Sequence, residues 1–502
     1  MNYIDRLLDK ITMYRLLLYF LLTLVGIAML FGAVGILSYS PIAIALSAAY
    51  VTFVCWIVNR LFAYVLRVPA NPESSLITGL ILALIITPLA SGQNIVFLSA
   101  AGGLAIASKY LLTIHGKHIF NPAAIAIVLT SLGAGDSASW WIGSAQLAPF
   151  VLIGGLLLAR KIQRMQMVLV YFLTVAVATV VFTFINHTNS LSTLQTTFLH
   201  SSALFLGFVM LTEPRTSPTN LSKQRWYAVL TGALFPPQLH ILGLFSTPEL
   251  TLVVGNTFSY IVSAKAALLL RLKSTIRWGT VTDFIFQPDR ALAYLPGQYL
   301  EFTLPHAKPD ARGSRRYFSL ASSPTEKTLR IGMKFAADGS TFKQAFADMT
   351  EATPFSAGQL GGDFTLPRDA SQKIAFIAGG IGITPFRSMM KYLTDVNDSR
   401  SVTLLYAERT VSNLAYTDVF EQARQSIGAA TTYVLSEQTD QLPAHTIVGA
   451  ITPSLITTTV PDYQERLFYI SGPHAMVTTL KQHLISLGVK HHQIKTDFFP
   501  GY

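Results

Sequence analysis

Ten apolar stretches recur between residues 17 and 270, separated by short polar breaks. A water-soluble fold cannot bury so many consecutive apolar runs, so this part of the chain is expected to dissolve in a bilayer. The stretches are 17–37, 42–56, 76–89, 95–112, 119–132, 147–158, 167–185, 198–211, 227–245 and 250–270. Several fall short of the ~20 residues that cross a ~30 Å hydrocarbon core, so some helices are expected to be tilted, broken or extended into polar flanks.

Charge placement supports this reading. Residues 1–280 hold 17 basic and 6 acidic residues, and residues 281–502 hold 20 of each. The whole excess of +11 therefore lies in the apolar part, and no nucleic-acid partner is expected from it. Within that part Lys and Arg gather in alternate gaps: Arg6, Lys10 and Arg15; Arg60 and Arg67; Lys109 and Lys117; Arg160, Lys161 and Arg164; Arg215, Lys223 and Arg225; then Arg271, Lys273 and Arg277. Basic residues mark the cytoplasmic side, so both ends of the apolar part are expected there, as in a multi-pass inner-membrane protein. A cleavable signal peptide fits poorly, because the first apolar stretch is long and no small-residue cleavage site follows it. One cysteine, Cys55, excludes an intrachain disulfide and an iron–sulfur cluster held by one chain's thiolates. No metal site is expected.

Three polar, proline-interrupted segments stand out at membrane depth, where such backbone is tolerated mainly beside a cavity or inside protein. Leu-Ile-Thr-Gly-Leu-Ile-Leu-Ala-Leu84, Gly-Lys-His-Ile-Phe-Asn-Pro122 and Thr-Glu-Pro-Arg-Thr-Ser-Pro218 resemble the family that comprises the B subunit of sodium-translocating NADH:quinone reductase and the D subunit of Rnf complexes. The resemblance spans residues 15–270 and implies an intramembrane flavin module, with Lys117, Asn121, Thr212, Glu213, Arg215 and Thr216 as cofactor candidates. The family's Ser-Gly-Ala-Thr site of covalent FMN is missing, so a noncovalent FMN or other flavin is the expected form. Haem needs facing histidines, and His115, His118, His187, His200 and His240 offer no convincing pairs.

From about Ile276 the pattern changes to short alternating strands, among them 280–286, 299–303 and 329–335, the last ending near Lys334. Arg316-Tyr-Phe-Ser319 alternates a cation, an aromatic and a hydroxyl along a strand, which suits a phosphate beside a planar ring; an ordinary edge strand explains it equally well. Gly339, Ser340 and Thr341 open a helix whose N–H groups suit a pyrophosphate, unless Ser340 or Thr341 is merely a cap. Residues 373–389 read as a buried strand, a glycine-rich turn at Gly379, Gly380 and Gly382, and a helix start at Thr384. Two more strand ends follow, at 407–410 and at 471–476. Three in succession point to a ligand at the carboxyl edge of a parallel sheet.

Residues 276–502 resemble the ferredoxin–NADP reductase family, carrying in its order Pro296-Gly-Gln298, Arg316-Tyr-Phe-Ser319, Gly361-Gly-Asp-Phe364, Gly379-Gly-Ile-Gly-Ile-Thr-Pro385, Ser471-Gly-Pro473 and an aromatic terminus. The expected fold class is thus a polytopic all-α membrane domain of about ten transmembrane helices (1–274), then a β-barrel FAD domain (275–367) and an α/β Rossmann-like nucleotide domain (368–502). The resemblance implies that Arg316 contacts FAD phosphate, Tyr317 neighbours it, Phe318 packs on the flavin and Ser319 bonds near its N5, while Gly339 to Thr341 hold the pyrophosphate. It places Gly380 to Thr384 near the nicotinamide nucleotide, counts Lys334, Gly379, Gly472 and Pro473 among the cofactor-binding residues, and leaves Arg409 to the adenosine ribose or a 2′-phosphate and Phe498, Phe499 or Tyr502 to cover the flavin. Ser319 and Ser471 are the expected catalytic pair, Ser471 standing where the family often has a cysteine. Since the cofactor itself carries the chemistry, that thiol is dispensable.

The two halves together read as a membrane-bound FAD-dependent NAD(P)H oxidoreductase. It takes electrons from NADH or NADPH in the cytoplasm and passes them to a flavin, a quinone or an extracytoplasmic acceptor. The rivals are an NAD(P)H:quinone reductase without transmembrane transfer, and a redox-coupled ion pump or transporter with Glu213 and Arg215 on its path.

Overall fold

The computed structural model describes residues 8, 11–66, 72–89, 92–114, 117–237, 239–241, 244–263, 268–304, 306, 310, 314–335, 339–351, 353, 355–437 and 442–499. The chain divides into two compact units, Ile4–Lys265 and Ala266–Tyr502.

The first unit is helical: α1 Met13–Ala33, α2 Pro41–Leu66, α3 Pro72–Ile85, α4 Gly92–Leu111, α5 Pro122–Ala134, α6 Ala148–Lys161, α7 Met165–Ile185, α8 Ser190–Leu199, α9 Ala203–Phe205, α10 Leu221–Ala233 and α11 Pro248–Val262. On α7 one stripe, Met167, Tyr171 and Val175, is buried, while Leu169, Leu173, Val177 and Phe184 face outward. A helix that is apolar all round yet buries one stripe has lipid on its other faces. Glycine permits the close approach of helices at two points. A Cβ on Gly79 of α3 would lie 2.6 Å from the Thr52 Cα of α2, and one on Gly155 of α6 would lie 2.3 Å from the Phe208 ring.

Among the described residues three helices, α1, α2 and α7, are long and apolar enough to cross a membrane. Each of the ten expected apolar stretches contains helix, but most helices are shorter than a span, and the stretches 227–245 and 250–270 end in strands. At 1.5 Å per residue the 14-residue α3 is about 20 Å long, short of a bilayer core. Its last carbonyls are satisfied by the irregular segment 140–142: Trp140 N–H donates to Ile85 O (2.8 Å), Ile142 N–H to Leu84 O (3.2 Å), and the Trp141 side-chain Nε1 to Ala83 O and Ile86 O (3.0 Å each). Irregular backbone is thereby buried in protein, as the hydrocarbon phase requires.

Three further departures have local causes. The stretch 198–211 becomes α9 followed by a π-helical turn, Leu206–Met210. Residues 186–197, expected as a loop, contain α8, because Asn189 caps it by accepting from the N–H groups of Leu191 and Ser192. Finally, the stretch 250–270 is split: α11 ends at Val262, and a strand starts at Leu268, where buried Leu268 and Leu270 alternate with exposed Leu269 and Arg271. The β-structure therefore begins before residue 275.

The second unit opens with β1 Leu268–Trp278, β2 Val281–Pro288, β3 Tyr299–Thr303, β4 Arg315–Ser319, β5 Leu329–Lys334, the short helix α12 Thr341–Ala347 and β6 Phe355–Gly361. The six strands form one antiparallel sheet in the order β4–β3–β6–β1–β2–β5. Among the described residues no ladder joins the two end strands, so by hydrogen bonding the expected barrel is an open six-stranded sheet. Its core is aromatic, Phe284, Phe286, Phe302, Phe342, Phe346 and Phe355 packing mostly edge to face.

A parallel sheet follows: β7 Ile374–Gly379, β8 Val402–Glu408, β9 Ala430–Leu435, β10 Thr446–Val448, β11 Leu467–Pro473 and β12 Ile494–Phe499, in the order β10–β9–β8–β7–β11–β12. Helices α13 Thr384–Asp395, α14 Thr417–Ile427, α15 Pro453–Thr459 and α16 His474–Ser486 connect them. β7 is buried along its whole length, as its unbroken apolar run requires. The chain winds one way from β7 to β10 and the other way from β7 to β12. The crevice beyond the carboxyl ends of β7 and β11 is thus the topological switch point, where ligands of such sheets bind.

Candidate active site

On β4 alternation divides the Arg316-Tyr-Phe-Ser319 motif between two faces. Phe318 turns into the aromatic core, edge-on to Phe302 (centroids 5.7 Å) and stacked on Phe342 (6.1 Å). Tyr317 is on the other face, about half exposed and edge-on to Tyr299. Arg316 lies over the Phe342 ring at 5.1 Å, donates to Arg315 O (2.6 Å) and places Nη2 3.8 Å from Asp310 Oδ1. The same carboxylate accepts from Thr341 N–H at 3.3 Å, and Thr341 Oγ1 accepts from Asp310 N–H at 2.9 Å. Arg316 and the start of α12 therefore converge on one anion, here a carboxylate standing where a phosphate oxygen would suit them equally. Ser340 is the cap of α12, accepting from Lys343 N–H, and Gly339 precedes it.

Ser319 ends β4 and meets the nucleotide lobe. Its Oγ is 3.5 Å from Asp497 Oδ2 of β12. Asp497 is the ladder partner of Ser471 on β11. Ser471 Oγ is buried with no hydrogen-bond partner, which is costly unless something else fills that place. The turn after β7 folds directly over it: a Cβ on Gly382 would lie 2.3 Å from Ser471 O. Ser319, Ser471 and Gly382 are thus brought together, and Asp497 joins them. Sequence reasoning missed Asp497; its one signal is a carboxylate two positions before Phe499 in a terminal strand.

The glycines separate by role. Gly379 and Gly472 are needed for packing, since a Cβ on Gly379 would strike Met476 Sδ at 2.1 Å and one on Gly472 would press on the Gly379 backbone at 3.0 Å. Gly380 has φ +55 and faces more open space, where the nearest atoms to a Cβ would be Glu408 Oε1 (3.5 Å) and Lys334 Nζ (3.9 Å). Lys334 Nζ lies 3.4 Å from both Glu408 carboxylate oxygens. Thr384 turns its hydroxyl back to Ile381 O (3.1 Å), closing the turn. Pro473 ends β11, and Arg409 Nε donates to Glu437 Oε1 (2.5 Å). Burial, and after it the Glu408 charge, push the Tyr406 phenol well up, so it stays protonated. The Phe498 and Phe499 side chains and Tyr502 lie outside the described residues.

Because Gly380 combines left-handed backbone with an open flank, Gly380→Ala is expected to raise the apparent KM for the nicotinamide nucleotide about tenfold, at a backbone cost of about 1 kcal/mol. Bound flavin should stay unchanged. Steady-state kinetics with flavin quantitation checks this, and an unaltered KM would remove Gly380 from the site.

In the first unit Asn121, Glu213 and Thr216 form one buried cluster. Glu213 Oε2 accepts from Asn121 Nδ2 (2.8 Å) and Thr216 Oγ1 (3.2 Å). Asn256 of α11 accepts from Asn121 N–H (2.7 Å) and its Nδ2 bonds Tyr227 OH (3.0 Å). A cavity beside the cluster is lined by Thr78, Lys109, Asn121, Thr212 and Glu213, with apolar walls from α1 and α3. Lys109 Nζ donates to Ser74 O, Ser74 Oγ and Thr78 Oγ1 at 2.7–2.8 Å. Arg215 is instead placed against His118 Nε2 (2.6 Å), Thr212 bonds its own helix at Phe208 O (2.7 Å), and the Lys117 side chain lies outside the described residues. Lys109, Thr78 and Asn256 were not expected in the cluster; a lysine near the end of an apolar run reads from sequence as a snorkelling cation.

Residues 140–236 match the family described as NQR2, RnfD, RnfE, and residues 376–482 match the oxidoreductase NAD-binding domain. Both resemblances read from the motifs are thereby borne out, and the second unit carries an oxidoreductase nucleotide domain. Among curated proteins the chain is similar to the flavohemoprotein of Bacillus cereus, 25% identical over 231 residues, or 44% of this chain and 57% of that one. It is also similar to the flavohemoprotein of Rhodopirellula baltica, 27% identical over 236 residues, 44% of this chain and 57% of the relative. The chain thus spans little more than half the length of these relatives. Among solved structures it is similar to the flavohem-like FAD/NAD binding domain of nitric oxide dioxygenase from Vibrio cholerae, 20% identical with a TM-score of 0.41, covering 46% of this chain and 98% of that one.

Proposed function

We propose that this chain is a membrane-bound oxidoreductase that accepts electrons from NAD(P)H on FAD in its second unit and delivers them to an organic carrier, a flavin or a quinone, in its first. The convergence of Ser319, Ser471, Asp497 and Gly382 at the switch point of a parallel sheet carries this reading. Three observations support the fit of the cofactors. The Ser471 hydroxyl is buried and orphaned, the Gly380 flank is open, and Arg316 with Thr341 already holds an anionic group. FAD, when bound, supplies two-electron acceptance from a nicotinamide and one-electron release to a carrier.

The chain's residues do the rest. Arg316 and Thr341 N–H bind the phosphates, and exposed Tyr317 offers the ring on the outer face of β4. Ser319 and Asp497 form a hydroxyl–carboxylate pair that orients and holds a proton beside the reacting ring, and the Gly379–Gly382 turn brings the nicotinamide against Ser471. In the first unit the Lys109, Asn121 and Glu213 cavity, apolar with a few polar groups, suits a planar carbonyl-bearing carrier. The placement of Lys and Arg supports an inner-membrane location with the reductase lobes in the cytoplasm.

A second reading, coupling of electron flow to ion movement, is favoured by Glu213, a part-buried carboxylate held by Asn121 and Thr216. The test is full-length protein in sealed vesicles given NADH or NADPH outside. Bleaching of a yellow chromophore, followed by reduction of an impermeant acceptor inside, supports transmembrane transfer. Quinone reduction alone supports the quinone reading, and a change of interior pH or sodium supports ion coupling. A protein that purifies without flavin and oxidises neither nucleotide overturns the proposal.

A further inference from the structure

The carboxyl ends of β8 and β9 present three charged side chains beside the Gly380 turn. Glu408 ends β8, Arg409 follows it, and Glu437 follows β9. Two backbone bonds extend the ladder past the strands, Ser436 N–H to Glu408 O (3.1 Å) and Glu437 N–H to Arg409 O (3.0 Å), so these residues stand side by side. At the end of the strand next to the glycine turn, the general rule for dinucleotide sheets is a choice. A carboxylate there accepts from a ribose 2′-hydroxyl, whereas an arginine receives a 2′-phosphate. Here the two residue types are adjacent, and sequence alone leaves Arg409 open to either role.

The structure separates them. The Arg409 guanidinium is directed at Glu437, Nε to Oε1 at 2.5 Å. Glu408 has a side chain only 2% exposed, fixed by Arg409 N–H (3.0 Å) and held loosely by Lys334 at 3.4 Å to each oxygen. A carboxylate has about four acceptor positions, and Glu408 Oε1 is the atom nearest to where a Cβ on Gly380 would stand, 3.5 Å away. A carboxylate accepts from a hydroxyl and repels a phosphate, and like charges brought together in a partly desolvated site cost several kcal/mol.

Resting on the oxidoreductase reading above, we propose that the donor is NADH rather than NADPH, with Glu408 accepting from a ribose hydroxyl and Glu437 keeping Arg409 from serving a 2′-phosphate. The Arg409–Glu437 pair is 75% and 45% exposed and contributes little to stability, so it can be broken without unfolding the lobe.

The experiment is anaerobic reduction of full-length, FAD-loaded protein in detergent, followed by flavin absorbance with each nucleotide in turn. The wild type is expected to favour NADH by about 100-fold or more in kcat/KM. Glu437→Gln should raise the NADPH value about tenfold, and Glu408→Gln should lower the NADH value about tenfold with FAD content unchanged. Equal use of both nucleotides, or a preference for NADPH, overturns the proposal and leaves the oxidoreductase reading standing. A Glu437→Gln protein with an unaltered NADH:NADPH ratio overturns the role of that residue. Reduction by neither nucleotide overturns the oxidoreductase reading and this proposal with it.

Discussion

Arg316→Ala protein is expected to purify with less than about a tenth of the wild-type FAD. A hydrogen bond to a charged group contributes about 1.5–3 kcal/mol, and removing the guanidinium deletes two such bonds to a phosphate at most. It also takes the positive charge 3.8 Å from Asp310 away from the place a phosphate must enter. The combined loss corresponds to at least a tenfold weakening of FAD affinity. Titration of flavin-depleted protein with FAD, read by quenching of flavin fluorescence, measures it directly. Arg316→Lys retains the charge without the planar fork and should fall between the two. Because Arg316 also rests on Phe342, the variant needs a folding control, for which resistance of the second unit to limited proteolysis serves. A wild-type flavin content in Arg316→Ala would remove the residue from the phosphate site.

Much of this site was legible because its elements follow local rules. The buried strand 374–379 and its glycine turn are readable from an unbroken apolar run followed by residues without side chains. The alternation of Arg316 and Ser319 places them on opposite faces of a strand whatever the rest of the fold does. What escaped was set by tertiary neighbours. Asp497 becomes a site residue only when β12 pairs with β11 and the sheet lobe brings up Ser319. Glu408 is one charge in a polar strand end until Lys334 arrives from another lobe. The same alternation shows that Phe318, read as a flavin-stacking ring, points into the aromatic core, because Phe302, Phe342 and Phe346 surround it. In the membrane unit apolar stretches are readable, whereas their lengths as helices are not. Pro88 announces locally that α3 stops near Ile85, but the partners of its last carbonyls come from residues 140–142, far along the chain, and no local pattern shows them.

Asp283→Ala is expected to destabilise the second unit by about 3–5 kcal/mol, the cost of leaving a buried ion pair with one partner. Asp283 on β2 is fully buried and accepts from Arg330 Nε (2.8 Å) and Nη2 (2.5 Å) of β5 and from Tyr416 OH (2.9 Å) of the nucleotide lobe. Burial pushes its carboxyl above the usual range, and the Arg330 charge and bond pull against that. Tyr416 sits in the left-handed region at φ +63, a costly conformation for a bulky residue that its surroundings must hold in place. The network continues through Arg387 of α13, which bonds Glu326 and donates to Ala321 O (3.0 Å), and through Ser388 Oγ to Ser322 O (2.5 Å). Ala321 and Ser322 follow Ser319 directly, and α13 begins at the nucleotide-binding turn. The buried charges therefore set the spacing between Ser319 and that turn. By this argument Asp283→Ala should lower the midpoint of flavin release on heating by roughly 10 °C, at about 2–4 °C per kcal/mol for a domain of this size. Tyr416→Phe, losing one bond, should cost about 1–2 kcal/mol, and the double variant should cost less than the sum because both act on the same carboxylate. Slower flavin reduction by saturating nucleotide, at full FAD content, is the expected accompaniment in Tyr416→Phe. An unchanged midpoint in Asp283→Ala would show that the two lobes are held together by other contacts.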